Sequence, residues 1–558
     1  MTRRTLPLAL ALLVAACRGG ERTADAAAGG TLVVVAPTDV DFLLPPLVNG
    51  IQGRAVMEQM FERLAEIAPE LNVVGDGGFE PRLAERWEWA PDSLSIAFRL
   101  NPRARWHDGR PVTARDVRFS WEVYADPATG SSTTPLIPYI DSVQVVDSLT
   151  ARVWYERRTP EQFYDFAHQI FILPQHVLGG VPHAELKTSA FGRQPVGSGR
   201  FRFERWEPNV RLVQLADTVH YRGRPKLDRL VWTVAPDFTA SVAKLFAGEA
   251  DFMDGLRPEN VEDIGRRPEL RSVAHAALQY GYLQFNLRDP RRPSRPHPIF
   301  GDKRVRHALT MALDRPRLAQ SVLGPQARVA LGPFPAQNVL QGQDSALRQL
   351  PFDLARARAL LDSAGWRDTN GDSVREKGGR PLEWTLTVPT SSRNRVRYAV
   401  LLQEAWRQAG ARVNVEQVEQ NVQLSRMTSR DFDTFIGVWG TDPSPSSARQ
   451  TWVGSSARGG GSNYGSYESA RFDALVDSAI TAPSPARAVT YWKQAYQTII
   501  DDAPAVWLYV PVVTAGMHAR LRPVNLRADA WWAGLADWWI PVDERNDRDR
   551  VGLRAAAR

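Results

Sequence analysis

Asp442 is the residue of this sequence best placed to hold a charged small molecule. A β-branched and aromatic run over residues 434–439 reads as a strand and breaks at once into Gly440, Thr441, Asp442 and Pro443. In open α/β sheets ligands bind just beyond the carboxyl ends of strands, so a carboxylate at that point is suited to a cation. The same Asp-Pro pair also fits a turn whose side chain accepts its own backbone N–H. Trp439 and Trp452 flank the position, and aromatic faces accept varied side chains with little directional demand, although either ring also suits a core. Arg393, at the start of a predicted helix after a strand, carries the planar fork that receives a carboxylate in two parallel bonds.

Other constellations carry less chemistry. Asp368, Asn370 and Asp372 open like a calcium loop with Glu376 in the ninth position, but Ser373 stands at the turn glycine and Gly379 at the bidentate glutamate. A polar loop is the expectation there, and no metal is assigned. The nine histidines form no i, i+4 pair. His107-Asp108-Gly109 has no nucleophile elbow beside it, and Gly197-Ser198-Gly199 lacks the third glycine of a dinucleotide loop. No catalytic residue and no cofactor are therefore expected.

These residues sit in a chain of 558 residues, 43% apolar, long enough for two or three domains. Lys and Arg number 69 against 62 Asp and Glu, giving +7, but the basic residues are scattered and the densest stretch, residues 288–295, is broken by prolines. Phosphate binding needs a concentrated basic footprint, so nucleic acid is not a partner. Arg3 and Arg4 precede an apolar run over residues 6–14, then Ala15, Ala16 and the single cysteine, Cys17. That is an export signal, too short for a finished membrane span. One thiol excludes a disulfide framework. Residues 18–30, small and polar, suit a tether.

Residues 31–36 read as a buried strand, 95–100 as an alternating strand, and 142–153 as a hairpin turning near Asp147 and Ser148. Trp87, Trp89, Trp106 and Trp121 are expected in the core of this strand-rich first part. Later the pattern becomes α/β. Asp353 caps a helix with the apolar face Ala357, Leu360, Leu361 and Ala364 and a stop at Gly365. Residues 382–388, a helix up to Gly410, and Val413 with Val415 make a βαβ unit.

The ordered motifs resemble the family 5 extracellular solute-binding proteins of ABC importers, the dipeptide-, oligopeptide- and nickel-binding group. The resemblance runs through Pro81-Arg-Leu-Ala-Glu-Arg-Trp87, Ala104-Arg-Trp-His-Asp-Gly-Arg-Pro-Val-Thr-Ala-Arg-Asp-Val117 and Pro195-Val-Gly-Ser-Gly-Arg-Phe201. It continues through Gly223-Arg-Pro-Lys-Leu-Asp228, Leu245-Phe-Ala-Gly-Glu-Ala-Asp251, Phe285-Asn286-Leu287 and Val305-Arg-His-Ala-Leu-Thr-Met-Ala-Leu-Asp-Arg315. The segment Val14-Ala15-Ala16-Cys17 resembles a bacterial lipobox, which implies acylation of Cys17 and a lipid anchor to a membrane of the cell envelope, on its periplasmic or extracellular face.

The resemblance implies a two-lobed periplasmic-binding-protein-like fold (type II, cluster C) with an extra strand-rich domain. Residues 1–17 would be the signal, 18–30 the tether, 31–50, 185–282 and 505–545 one lobe, 51–184 the extra domain, and 283–504 the second lobe. Gly437-Val-Trp-Gly-Thr-Asp-Pro-Ser-Pro445 is similar to the segment whose aspartate pairs with a peptide's α-ammonium, and Asn463 and Tyr464, further ligand candidates, lie in a Gly-rich loop resembling the family's stretch before its next helix. The implied function is capture of a peptide-like solute by hinge closure and delivery to permease subunits, by a monomer without cofactor or enzymatic activity. An oligosaccharide or a metal chelate is the alternative within this fold. A lipid-anchored hydrolase or chaperone is the alternative outside it.

Overall fold

The computed structural model describes residues 28–551 except 49, 236, 325–326, 335–345, 459–460 and 524–525. The export signal, Cys17 and the tether up to residue 27 lie outside the described residues.

Two sheets organise the chain. Thr31–Ala36 is buried at all six positions because it lies inside a seven-stranded sheet, parallel to Arg229–Val234 on one side and to Phe252–Met253 on the other. Such strands read as continuous apolar runs, as this one does. The sheet is completed by Leu270–Ala276 and Val512–His518 beyond Phe252–Met253, and by Arg211–Ala216 and Phe201–Glu207 beyond Arg229–Val234. A five-stranded sheet runs in the order Arg412–Val418, Glu383–Pro389, Thr434–Gly440, Gln279–Phe285, Ala505–Tyr509. The chain passes between the two sheets twice through very short connections. Leu270–Ala276 leads through Ala277 and Leu278 into Gln279–Phe285, and Ala505–Tyr509 leads through Val510 and Pro511 into Val512–His518. The result is a two-lobed α/β fold.

The βαβ unit forms as its pattern predicts, with Glu383–Pro389 parallel to Arg412–Val418 and the helix Arg393–Gln408 between them. Gly410 ends that segment at φ +90°. The Asp353 carboxylate accepts the Arg356 N–H at 2.8 Å and starts the helix Leu354–Ser363. The strand-rich part is an antiparallel sheet in the order Ala84–Trp89, Ser95–Leu100, Thr150–Tyr155, Ile140–Asp147, covered by the helix Ala114–Ala125 with a Thr113/Asp116 capping box. Trp106 is buried in its core, and Trp87, Trp89 and Trp121 pack against it.

Glycines let the turn after residue 57 and the strand-rich part close on the segment that leads into Phe201–Glu207. A Cβ at Gly197 would lie 1.9 Å from the Met60 carbonyl oxygen, and one at Gly199 2.4 Å from that of Gln59. Only glycine allows this approach, which is sealed by Gly199 N–H to Met60 O at 2.8 Å and by a 2.8 Å bond between His107 Nε2 and Gly199 O. His107 is thus a brace between two of the sequence motifs. A second brace is ionic. Asp251 and Asp549, both fully buried as side chains, share Arg520, while Asp251 Oδ2 accepts the Val33 N–H and Asp549 Oδ1 the Thr31 N–H. The cluster ties the first strand to the C-terminal segment.

Candidate functional site

A cavity of 550 Å³ opens where the two sheets, the strand-rich part and a C-terminal tryptophan segment meet. One wall is the helix Ile51–Met57 and the turn after it, contributing Arg54, Glu58, Arg63 and Glu66. Gln214 in the seven-stranded sheet donates to Val56 O at 2.8 Å, so this wall belongs to that lobe. The opposite wall is Gly440, Thr441, Asp442 and Pro443 at the end of Thr434–Gly440, held to the crossover by Thr441 N–H to Leu278 O at 2.7 Å. Tyr164 and His168 come from the strand-rich part, and Trp531 and Trp532 close a further side.

Most charges on the walls are paired. Arg63 bonds Glu58 at 2.9 Å and Glu66 at 3.0 Å, Arg527 bonds Asp529 at 2.6 Å, and Trp532 Nε1 donates to Glu58 at 2.6 Å. Burial disfavours the charge on Glu58, but Arg63 and Arg54 outweigh it and hold the carboxyl below its usual range. His168 is driven well below the usual imidazole value by burial and then by Arg63, so it is neutral. His275 meets Asp254 at 2.8 Å; burial opposes its charge, yet the Asp254 bond prevails and raises it.

Asp442 differs from these. Its side chain is open to the cavity but walled by protein on its other sides, and burial lifts it to about 6 against the pull of the Ser444 N–H and Arg54. Oδ1 accepts the Ser444 N–H at 2.9 Å, the turn bond that its sequence also allowed. No cation is paired with it among the described residues. The same loop touches the strand-rich part: Ser446 Oγ donates to Glu161 at 2.6 Å and Ser444 Oγ donates to its other oxygen. Glu161 is buried without a cation, and burial lifts it to about 7, with Asp442 adding repulsion against the two hydroxyl bonds.

Of the six candidate ligand residues read from the sequence, Asp442 lines this cavity and the other five do not. Trp452, 1% exposed, packs edge-on against Tyr282 and Trp507 inside the lobe and donates to Tyr280 Oη at 3.0 Å. The Asn463 amide is committed to Trp452 O, Val453 O and Tyr467 O, and its carbonyl to Tyr467 N–H, so it braces a loop. Trp439 and Tyr464 meet edge-on at 6.4 Å and are half-buried. Arg393 is exposed on the first turn of its helix. Asp368, Asp372 and Glu376 approach within 4.8 Å of one another, each accepting backbone N–H groups of their own loop. Sequence reasoning did not reach Arg54, Glu58, Arg63, Tyr164 or His168, because nothing in their local pattern sets them apart from surface or core residues.

A crevice between two lobes joined by short crossovers, with a charged anchor at a strand end, defines a solute-binding protein of the periplasmic-binding type. Residues 78–461 match bacterial extracellular solute-binding proteins, family 5 Middle, and the chain belongs to this family, which binds solutes for ABC importers and is not enzymatic. It is 26% identical over 549 residues to the oligopeptide-binding protein AppA of Bacillus subtilis (strain 168), covering 96% of this chain and 97% of the relative. The structure of AppA in complex with a nonapeptide superposes with a TM-score of 0.67, covering 92% of this chain and 99% of that one. Di/tripeptide-binding protein 2 of Pseudomonas aeruginosa (strain UCBPP-PA14) is 27% identical over 505 residues, 86% of this chain and 90% of the relative. The substrate-binding protein CtaP of Listeria monocytogenes shares the fold with a TM-score of 0.78 at 19% identity, over 92% of this chain and 99% of that one.

Proposed function

We propose that this protein is the peptide receptor of an ABC importer, anchored at the cell envelope through acylated Cys17, and that it delivers the captured peptide to the permease subunits. The observation that carries the reading is Asp442: a carboxylate with no cation partner among the described residues, open to a cavity between two lobes. A peptide α-ammonium supplies the missing charge, and in a closed, poorly hydrated crevice that bond is stronger than in water. The peptide-binding names of two relatives support the same ligand class. An oligosaccharide would favour open tryptophan faces. Trp531 and Trp532 line the cavity, but they are nearly buried, and Trp531 packs on Phe252 at 4.4 Å. Closure turns on the two crossovers at residues 277–278 and 510–511.

Native mass spectrometry of the mature protein purified from its envelope, before and after addition of a peptide mixture, tests this. Intact peptides retained on the protein, a raised melting temperature and an acylated N-terminal Cys17 are expected. Cleaved peptides, or retained sugars with no peptide, would refute the reading.

A further inference from the structure

Two side chains of opposite charge face the cavity and, among the described residues, neither has an ion pair shorter than 3.7 Å; they stand on different lobes. Asp442 is one. The other is Arg54, on the helix attached to the seven-stranded sheet. Its side chain is 54% exposed and its nearest acid, Glu58, lies 3.7 Å away, already taken by Arg63 at 2.9 Å and by Trp532. Arg63 also lines the cavity but is buried between Glu58 and Glu66, and Arg527, with little of its side chain exposed, is held by Asp529 and by the Ile67 carbonyl. Arg54 is therefore the guanidinium left to meet an anion there. Tyr164 lines the same cavity, close enough to Asp442 and to Arg54 for each to influence its ionisation. It is 4% exposed, and its hydroxyl has no hydrogen-bond partner among the described residues. A hydroxyl on the cavity wall that is not already committed can donate to a ligand oxygen.

Resting on the peptide-receptor reading, we propose that Arg54, with the Tyr164 hydroxyl as second donor, receives the carboxylate of a short zwitterionic peptide whose ammonium sits on Asp442. Arg393, the sequence candidate for that role, does not line the cavity. The planar fork of Arg54 suits a terminal carboxylate bonded in parallel. The volume of 550 Å³ falls in the range of about 300–1,000 Å³ that encloses small ligands, so both charged ends of the peptide are held inside. A ligand bonded at both ends joins a group of the seven-stranded lobe to a group of the five-stranded lobe. The site then selects peptides with two free termini, and the binding energy itself favours the closed form.

Binding is measured by calorimetry and thermal shift on the mature chain with a tripeptide library bearing free termini, with the same library amidated at the C terminus, and with it acetylated at the N terminus. Amidation is expected to weaken capture by the natural protein by more than about tenfold, the order of loss for a desolvated charge pair deprived of one partner. In Arg54→Gln, free and amidated libraries should bind within about twofold of each other, while acetylation still abolishes capture. The exposed position of Arg54 leaves the variant's melting temperature without ligand unchanged. Tyr164→Phe should lower affinity for the free library and narrow the gap to the amidated one. Amidated peptides bound by the natural protein as tightly as free ones, or a gap that persists in full in Arg54→Gln, would overturn the assignment of Arg54 and leave the peptide receptor standing. Failure of every tripeptide library to bind the natural protein would overturn the assignment of Arg54, and the receptor reading would then stand or fall on retention of longer peptides from a mixture.

Discussion

Ammonium capture by Asp442 should depend on pH between 5 and 7. The free protein holds this carboxyl at about 6, through burial opposed by the Ser444 N–H and Arg54. Only the ionised form pairs with an ammonium, so the proton must leave as the peptide arrives. With a value of 6 the carboxyl is about 90% ionised at pH 7 and about 10% at pH 5, so affinity should fall about tenfold between them. Over that range the peptide's own termini keep their charges, since the α-amino group titrates near 8 and the α-carboxyl below 4. The groups facing Asp442 are Arg54, Glu161 and Tyr164, of which Glu161 alone also titrates nearby. Calorimetry in two buffers of different ionisation enthalpy reads the proton directly: close to one released per peptide at pH 5, close to none at pH 7, where release from Asp442 and uptake by the α-amino group nearly cancel. Asp442→Asn should bind more than about tenfold more weakly at pH 7 and lose most of the pH dependence. An affinity that is flat from pH 7 to pH 5, or a slope that survives in Asp442→Asn, would refute the reasoning.

Glu161 makes the opposite statement about stability. Its carboxyl is raised from 4.5 to about 7 by burial, so its contribution is fully present below pH 4.5 and is lost as pH rises through 7, a change on the order of 3 kcal/mol. Thermal melts of the ligand-free protein from pH 5 to pH 8 should fall more steeply for the natural chain than for Glu161→Gln, and parallel curves would exclude Glu161 as the cause. Asp251→Ala strips Arg520 and Arg548 of a fully buried partner and leaves the Val33 N–H without its acceptor. Removing one side of a buried ion pair costs about 3–5 kcal/mol, read by chemical denaturation, and a loss under about 1 kcal/mol would mean that the cluster does not hold the first strand.

The fold was legible where a signal is local. Thr31–Ala36 declares itself because both its faces are covered, and Asp353 and Gly365 announce their helix because caps act within one turn. Asp442 was legible for a related reason: a strand end followed by Gly-Thr-Asp-Pro is itself a local pattern, and the five-stranded sheet turns it toward the crossover. Arg54 was not. It lies on a seven-residue helix far away in sequence, and what distinguishes it from other exposed arginines is the absence of a strong acid partner in a crevice that only the folded chain assembles. Trp452 and Asn463 show the converse. A sequence places them beside the anchor, but it does not tell a ring that faces a ligand from one that floors the lobe, and here the bonds to Tyr280 and Tyr467 take up their polar atoms.

Capture and closure share one loop. Ser444 gives its N–H to Asp442 and its hydroxyl to Glu161, so the group that would hold the ligand and the group that meets the strand-rich part are two bonds apart on the same residue. Without ligand, and above about pH 7 where Glu161 is ionised, Asp442 repels Glu161 across that residue and works against the contact. An ammonium on Asp442 neutralises the repulsion and makes the Glu161 contact easier to keep. The ligand therefore interacts differently with the closed and open forms even before Arg54 is counted, and such a difference is what a shift toward closure requires.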